Sequence, residues 1–294
     1  MAETVITPAL HTVPPIALRR RIVNHLMTGV AVFTVILVLA PLIAIFGYLL
    51  YRGIGSINWA FLTQTPRPVG EAGGGMANAI VGSAFILALA SILGVPIGVG
   101  AGIYVAEYGR NRFGDAIRFT ADVLNGVPSI VIGIVAYSMV VLYQKHFSAL
   151  AGGVALAIMM IPTITRTTED MLLLVPHALR EAAYGLGIPR WRATLSITLR
   201  TATSGVITGI MLAFARVAGE TAPLLFTAFG NQFWNLRANQ PTAALPLQIF
   251  TYAISPYDEW HRQAWAGALV LIILIVTAVA AVRYVVRRGT FGAA

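Results

Sequence analysis

Arg216 and Glu220 are the residues of this chain best placed to do chemistry, because both lie inside the apolar stretch 203–228, which is long enough to cross a bilayer. An ionised group at the centre of a bilayer costs about 2.5 to 3.5 kcal/mol on insertion scales, so a charge that is kept there usually serves a function. The two residues are four positions apart and share one face of a helix. The spacing predicts a helical ion pair, with Arg216 near the middle of the membrane.

Two roles are open for Arg216. A guanidinium offers a rigid fork of donors that matches a tetrahedral oxyanion, which favours a transient contact with a transported anion. The pair with Glu220 could instead only fix the register of the helix, since desolvating two ions can cancel their attraction. An ionised Glu220 repels an anion, so it either pairs with and orients Arg216 or, when protonated, hydrogen-bonds a protonated anion.

Small residues occupy the same helix at intervals of four, namely Gly205, Gly209 and Ala213, and Arg216 and Glu220 follow at intervals of three and four. Small residues let two helices approach closely. The pattern predicts that the charged face is also the face that meets other protein. Gly94, Gly98 and Gly102 form a similar stripe, for which we predict a packing role only.

The elements that carry these residues are membrane helices. The chain is 57% hydrophobic and 11% charged, whereas a soluble domain is about 25% charged. Five apolar segments are long enough to span a bilayer: residues 27–50, 78–105, 120–143, 203–228 and 264–282. A sixth, 150–164, is short, but the loop charges require it. We therefore predict an all-α polytopic membrane protein with six transmembrane helices.

The orientation follows from the basic residues, because short cytoplasmic loops retain positive charge. Six spans place fourteen of the twenty basic residues on the side of the termini, five on the other side and Arg216 in the membrane. Both termini are therefore expected in the cytoplasm. Topology accounts for the net charge of +9, so a nucleic-acid partner is not needed.

Several kinds of chemistry are excluded by composition. The chain has no cysteine, and its five histidines fall in separate segments without metal-ligand spacing. Its single lysine, Lys145, lies in a short external loop, whereas a P-loop needs a lysine in a glycine-rich turn. We expect no metal, no cofactor and no ATP hydrolysis on this chain.

The longest cytoplasmic connection contains a predicted short helix, 176–187. Pro176 suits its first position, and Gly187 followed by Pro189 supplies its end. Three apolar residues share one face: Leu179, Ala183 and Leu186. Such a helix either lies on the lipid surface or docks a soluble partner, and the residues alone do not decide between these roles.

This connection resembles the EAA loop of ABC importer permeases. Glu181-Ala182-Ala183 is followed, after three residues, by Gly187 and, after nine more, by Ile197-Thr198-Leu199. The family pattern has proline where this chain has Arg200. The resemblance implies a coupling helix that sits in a groove of a cytoplasmic ATPase, with Glu181, Ala182, Ala183 and Gly187 as its contacts, and the MetI-like permease fold.

A narrower resemblance covers about residues 78–282. The segment 215–228, with the sequence Ala-Arg-Val-Ala-Gly-Glu-Thr-Ala-Pro-Leu-Leu-Phe-Thr-Ala, is similar to the signature of the PstA permeases of phosphate importers. Three shorter segments support it: Gly126 to Val131, Tyr104 to Tyr108 and Arg166 to Glu169. The resemblance implies a bacterial plasma-membrane subunit that forms half of a pathway for inorganic phosphate. The implied partners are a PstC-type permease, two PstB-type ATPases and a PstS-type binding protein.

The predicted organisation is a cytoplasmic tail 1–26, a first helix 27–51, a core permease domain 78–282 and a cytoplasmic tail 283–294. Other functions are an oxyanion permease for sulfate or molybdate, an ion-coupled secondary transporter, which would also need a charge pair at mid-membrane, and an intramembrane enzyme. No inverted repeat supports the second, and no metal, cysteine or Ser/His constellation supports the third.

Overall fold

The computed structural model describes residues 15–68, 71 and 73–291, with side chains described between residues 18 and 286 of these ranges. Of the predicted N-terminal tail 1–26, residues 1–14 lie outside the described residues, and the rest is part of the first helix. The first helix, α1 (Pro15–Gly53), is apolar on all sides, and the most hydropathic window of the span Leu18–Ser56 has no buried residue. Residues up to Tyr51 form a compact unit of their own, and those from Arg52 onward form a second.

All the helices and turns of helix described below belong to the second unit, which has no β-strand among its described residues. In chain order its helices are α2 (Trp59–Thr63), α3 (Ala77–Tyr108), α4 (Arg112–Gly126), α5 (Ser129–Gln144), α6 (Ala149–Leu173), α7 (His177–Gly185), α8 (Arg190–Ala218), α9 (Ala222–Thr227), α10 (Leu245–Ala253) and α11 (Asp258–Phe291). Single π-helical turns interrupt α5 at Tyr137–Val141 and α8 at Thr194–Thr198. Within the described ranges β pairing is limited to one bridge, between Phe229 and Thr242.

Five helices are long and apolar enough to span a membrane, and α4 with α5 makes a sixth span if the bent pair is counted as one. The prediction of an all-α polytopic fold is confirmed. The short apolar segment 150–164 is part of α6, whose 25 residues exceed the length that a span needs. The predicted C-terminal tail continues α11 as helix to Phe291.

The segment 120–143, predicted as one transmembrane helix, is interrupted. Helices α4 and α5 divide this segment and meet at an angle of 109°. The cause is Pro128, which restricts the preceding residue to extended conformations, and Val127 is accordingly extended at φ −70° and ψ 132°. At its other end α4 begins at Asn111, whose side chain accepts a hydrogen bond from the amide of Gly114 at 2.8 Å.

Helix α6 is the central element of the core. The stripe on α3 lies against it, since a Cβ on Gly98 would come within 2.8 Å of Ile164 and one on Gly102 within 2.6 Å of Thr168. Gly94 likewise faces Met160. These close approaches support the packing role predicted for the stripe. Leu156, Met160 and Ile164 are fully buried in the main apolar cluster, to which α3, α5, α8, α9 and α10 also contribute.

The segment 227–240, which begins at the end of α9, folds over the beginning of α6. Its carbonyl groups accept hydrogen bonds from the first amides of that helix: Thr227 from Ser148, Gln240 from Ala149 and Ala238 from Leu150, at 2.8 to 3.0 Å. Helix N-termini leave such amides without partners in the helix itself. The segment is thereby anchored to the core through its main chain.

Candidate substrate pathway and coupling surface

Arg216 lies at the level of the middle of α6. Glycines on α8 set the register of the two antiparallel helices, because Gly205 faces Met171 and Gly209 faces Thr167. Each step along α8 is therefore a step back along α6, which places Arg216 at the level of Met160. At 1.5 Å per residue that level is about 16 Å from the start of α6, close to its midpoint.

The predicted helical pair of Arg216 with Glu220 is not formed. Helix α8 ends at Ala218, Gly219 caps it, and α9 begins only at Ala222. Glu220 therefore lies in a break between two helices. In the part of the chain that the structure describes, no ion pair joins the two residues. Both are accessible, since Arg216 is exposed and Glu220 is half-buried.

Arg216 also lies on a different face from the small-residue stripe. Gly209 and Ala213 are buried against α6, and the buried face continues to Val217. Arg216 instead ends an exposed row at intervals of four, formed by Ser204, Thr208, Leu212 and Arg216. We call these four residues the α8 stripe. Ala213 is buried, whereas Arg216, three positions later and about 60° round a 3.6-residue helix, is exposed.

The break after α8 contacts the other broken helix. A Cβ on Gly133 would lie 2.7 Å from the Cα of Pro223, so α5 and α9 approach with almost no space between their backbones. Gly133 is one turn into α5, which begins just after the bend at Val127-Pro128, and Pro223 is the second residue of α9. The two interrupted helices therefore meet directly, next to the break that holds Glu220.

The predicted coupling helix is present as α7. Pro176 precedes its first residue rather than occupying it, with φ −56° and ψ 136°. The end is a Schellman motif, in which the amide of Gly187 donates to the carbonyl of Tyr184 at 2.9 Å and that of Ile188 to Ala183 at 3.1 Å. Gly187 has φ +75°, a conformation that favours glycine. Gly187 therefore ends the helix because glycine readily adopts the left-handed backbone conformation that this motif requires.

The exposed face of α7 differs from the predicted one. Ala183 is 3% exposed and faces the interior, so it is not available to a soluble partner in this conformation. Leu179 and Leu186 were predicted on the same face but point to solvent. With them, Glu181, Ala182 and Gly187 are also exposed. These five residues, Leu179, Glu181, Ala182, Leu186 and Gly187, form what we call the coupling surface.

Arg180 was not singled out from the sequence, yet it is one of two buried residues of α7. Its Nε and Nη2 atoms donate to one carboxylate oxygen of Glu107, at the end of α3, at 3.1 and 2.9 Å. Nη2 also donates to the carbonyl of Leu172 at 2.7 Å, and Nη1 to that of Val175 at 2.9 Å. The guanidinium thus joins α7 to the C-terminal ends of α3 and α6.

A second arginine cluster lies at the same end of the molecule. Glu169 of α6 is 3% exposed and accepts hydrogen bonds from Arg118 Nε at 2.7 Å and Arg166 Nη1 at 3.1 Å. Arg118 also donates to the carbonyls of Val105 and Gly109 at the end of α3, both at 3.1 Å. Cations favour helix C-termini, where carbonyls lack partners. Arg118 thereby connects α4 to both α3 and α6.

The described residues contain no group of three or more metal-ligating side chains. A cavity of about 450 Å³ opens beside α7, lined by Glu107, Arg110, Arg180, Glu181 and Arg190 among others. The guanidinium of Arg190 lies 5.5 Å from the centre of the Tyr108 ring. Arg190, the first residue of α8, therefore makes an internal contact with the end of α3.

Comparison with known proteins agrees with this arrangement. Residues 98–290 match the family model of the binding-protein-dependent transport system inner membrane component. The chain is 46% identical to the phosphate transport system permease protein PstA of Yersinia pestis over 87% of its own length and 88% of that protein. It is 35% identical to PstA 1 of Mycobacterium tuberculosis, with 93% of each chain covered.

The fold is also similar to that of a solved transporter structure. A chain of the MetNI methionine ABC transporter, in an inward facing conformation, superposes with a TM-score of 0.55 at 17% identity, covering 72% of this chain and 94% of that one. At this identity the likeness concerns the fold alone. From the family match and the identities above, this chain belongs to the binding-protein-dependent transport system inner membrane components and is an ABC permease of the PstA type, a multi-pass protein of the bacterial inner membrane.

Proposed function

We propose that this chain is the transmembrane permease subunit of an ATP-driven importer of inorganic phosphate. The names of its relatives supply the substrate. The structural observation that supports it is Arg216, an exposed cation at the mid-level of α6 beside a break between two helices. Discontinuous helices at mid-membrane are a common way to build a site for a charged substrate.

The exposure of Arg216 supports the proposed assembly. A guanidinium facing lipid at that depth would cost about 2.5 to 3.5 kcal/mol, so the α8 stripe faces a second protein or water. A homologous PstC-type permease, packed to leave a water-filled polar gap along the α8 stripe, would keep these residues away from lipid. Arg216 then offers its fork of donors to phosphate in the gap. Glu220 limits how long the anion stays by repelling it when ionised.

Energy for import comes from outside this chain. We propose that two PstB-type ATPases lie on the cytoplasmic side and that one of them receives the coupling surface, where Leu179 and Leu186 offer apolar contacts and Glu181 a charge. A PstS-type binding protein would deliver phosphate on the other side. Coupling requires that these partners contact the two conformations of the permease differently.

Replacement of Arg216 tests the proposal. In the assembled transporter, reconstituted in liposomes, Arg216→Ala should lower ATP-dependent phosphate uptake by about 100-fold, because two or more charge-assisted hydrogen bonds to the anion are lost. Arg216→Lys should also fail, since an ammonium lacks the planar fork. Arg237→Ala removes an exposed external arginine and serves as the matched control, with uptake unchanged.

Three results would contradict all or part of the proposal. Full uptake by Arg216→Ala would remove the arginine from the pathway. Phosphate uptake by the purified chain alone under an ion gradient, without ATP, would show a secondary transporter instead. Uptake of sulfate or molybdate, but not of phosphate, by the wild-type complex would keep the permease role and replace the substrate.

A further inference from the structure

The coupling helix is attached to the membrane-spanning helices by very few side chains. Of its nine residues only Arg180 and Ala183 are buried. Ala183 contributes one methyl group, whereas Arg180 makes four hydrogen bonds to partners in and around α3 and α6. Any movement of α7 therefore reaches α3 and α6 through Arg180, the Ala183 contact and the chain connections at the two ends of the helix.

The directions of these hydrogen bonds make them sensitive to the orientation of α7 relative to α3 and α6. The Arg180 guanidinium donates in two directions, to the carboxylate of Glu107 and to the carbonyls of Leu172 and Val175. These acceptors lie at the ends of α3 and α6. A displacement of the acceptors therefore moves the helices that carry them. The planar fork of arginine fixes the angle between its partners, which a flexible ammonium would not do.

Stability alone does not account for this pair. The side chains of Arg180 and Glu107 are 10% and 7% exposed, and apolar residues in place of a buried ion pair are often equally stable or more so. What a directional pair adds is a defined orientation of α7 relative to α3 and α6.

The same helix ends are joined to the broken helices. Arg118 connects the end of α3 and Glu169 of α6 to α4, and α4 leads through the bend to α5, which contacts α9 at Gly133. A continuous series of ion pairs, helices and backbone contacts therefore extends from the coupling helix to the break that carries Glu220.

We propose that Arg180 is a positioning residue that transmits the movement of the coupling helix to α3 and α6, so that hydrolysis of ATP by the partner is coupled to movement of substrate. The inference rests on the proposed function. Arg180 touches neither nucleotide nor phosphate in this role. Its loss should therefore lower the amount of phosphate transported for each ATP hydrolysed.

The test uses the complete transporter in liposomes, with phosphate uptake and ATP hydrolysis measured in the same preparation. Arg180→Ala should reduce the phosphate moved per ATP by about tenfold, within the usual range of coupling between sites, while the ATPase subunits still copurify. Arg180→Lys should show an intermediate ratio, because it keeps a cation near Glu107 without the fork.

Arg110→Ala is the matched control. Arg110 lines the same cavity beside α7, and its replacement by alanine removes the same charge. Arg110 is exposed, however, and makes no hydrogen bond or ion pair with the described residues. The Arg110→Ala transporter should move as much phosphate per ATP as the wild type. If Arg180→Ala does not assemble, Glu107→Gln decides, since it keeps the volume and an acceptor oxygen and should lower the ratio in the same direction.

An unchanged ratio in Arg180→Ala, or in Glu107→Gln where the first variant fails to assemble, would overturn the inference. So would an equal loss of hydrolysis and uptake, or release of the ATPase subunits by a stable Arg180→Ala chain, because Arg180 would then only hold the docking surface in shape. Failure of the wild-type complex to move phosphate would instead contradict the proposed function.

Discussion

Glu169 shows how one buried carboxylate organises the end of the helical core that lies next to α7. Two arginines donate to it from α4 and from its own helix, although its side chain is only 4% exposed. A carboxylate at such a position is tolerated because both of its oxygens have cationic partners. The effect of removing its charge should therefore exceed that of any surface ion pair in the same cluster.

We predict that Glu169→Gln lowers the free energy of unfolding by about 1 to 3 kcal/mol, less than a fully buried pair would lose, because Arg118 and Arg166 are partly solvated. The thermal unfolding midpoint of the purified chain in detergent measures the change. Asp115→Asn is the control, since Asp115 also contacts Arg118 at 3.1 Å but is 74% exposed. Equal shifts of the two midpoints would show that burial of Glu169 adds nothing.

Single residues were predicted from the sequence to different degrees. Arg216 and Glu220 stood out because charge is rare in apolar segments, and the end of α7 followed from Gly187. Arg180 and Glu107 are 73 residues apart, and Arg118 and Glu169 are 51 apart, so no local pattern pairs them. Only the packing of α3 against α6 brings these groups together.

Among the elements, the interruptions in α4–α5 and α8–α9 were the main feature that apolar periodicity did not predict. A hydropathy pattern records how apolar a segment is and not whether its backbone is continuous. A signal for both breaks was nevertheless present. Pro128 directly follows Gly126-Val127, and Pro223 follows Gly219 by four residues, and proline with glycine commonly ends or bends a helix.

We predict that Gly133→Ala separates the two interrupted helices and lowers both stability and phosphate uptake. The new methyl group would lie 2.7 Å from the Cα of Pro223, which is backbone and cannot turn away. Overpacking of this kind costs about 1 to 3 kcal/mol. The unfolding midpoint and the uptake rate of the variant complex measure the two effects.

The matched substitution is Gly126→Ala, at a position where a Cβ meets nothing within 4 Å. Alanine is a better helix former than glycine, so this variant should keep or slightly raise the unfolding midpoint. A loss of uptake in Gly126→Ala equal to that in Gly133→Ala would contradict the assignment of the effect to the contact between α5 and α9.

For the whole molecule, the sequence predicted the class from composition and the family from its motifs, and the six predicted spans agree with the structure when the bent α4–α5 pair is counted as one. It also predicted that the termini lie in the cytoplasm, from the excess of arginine on one side. The arrangement of helices around α6 was beyond the pattern, since the glycine stripes show only that two helices approach closely and do not name the partner helix.

The orientation can be tested with single cysteines, because the chain has none of its own. His146→Cys, in the exposed turn before α6, should react with a membrane-impermeant maleimide in cells whose inner membrane is intact. Gly185→Cys, exposed on the coupling helix, should react only after that membrane is permeabilised. The reverse labelling pattern would place the coupling surface outside the cell and exclude contact with a cytoplasmic ATPase.

The cap that the segment 227–240 provides for α6 has a consequence for sequence variation. Its three bonds to the start of that helix use carbonyl oxygens, which every amino acid possesses. Side chains at Thr227, Ala238 and Gln240 can therefore change among related transporters without loss of these bonds, provided that the length and path of the segment are kept. Insertions or deletions there should be tolerated far less well than substitutions.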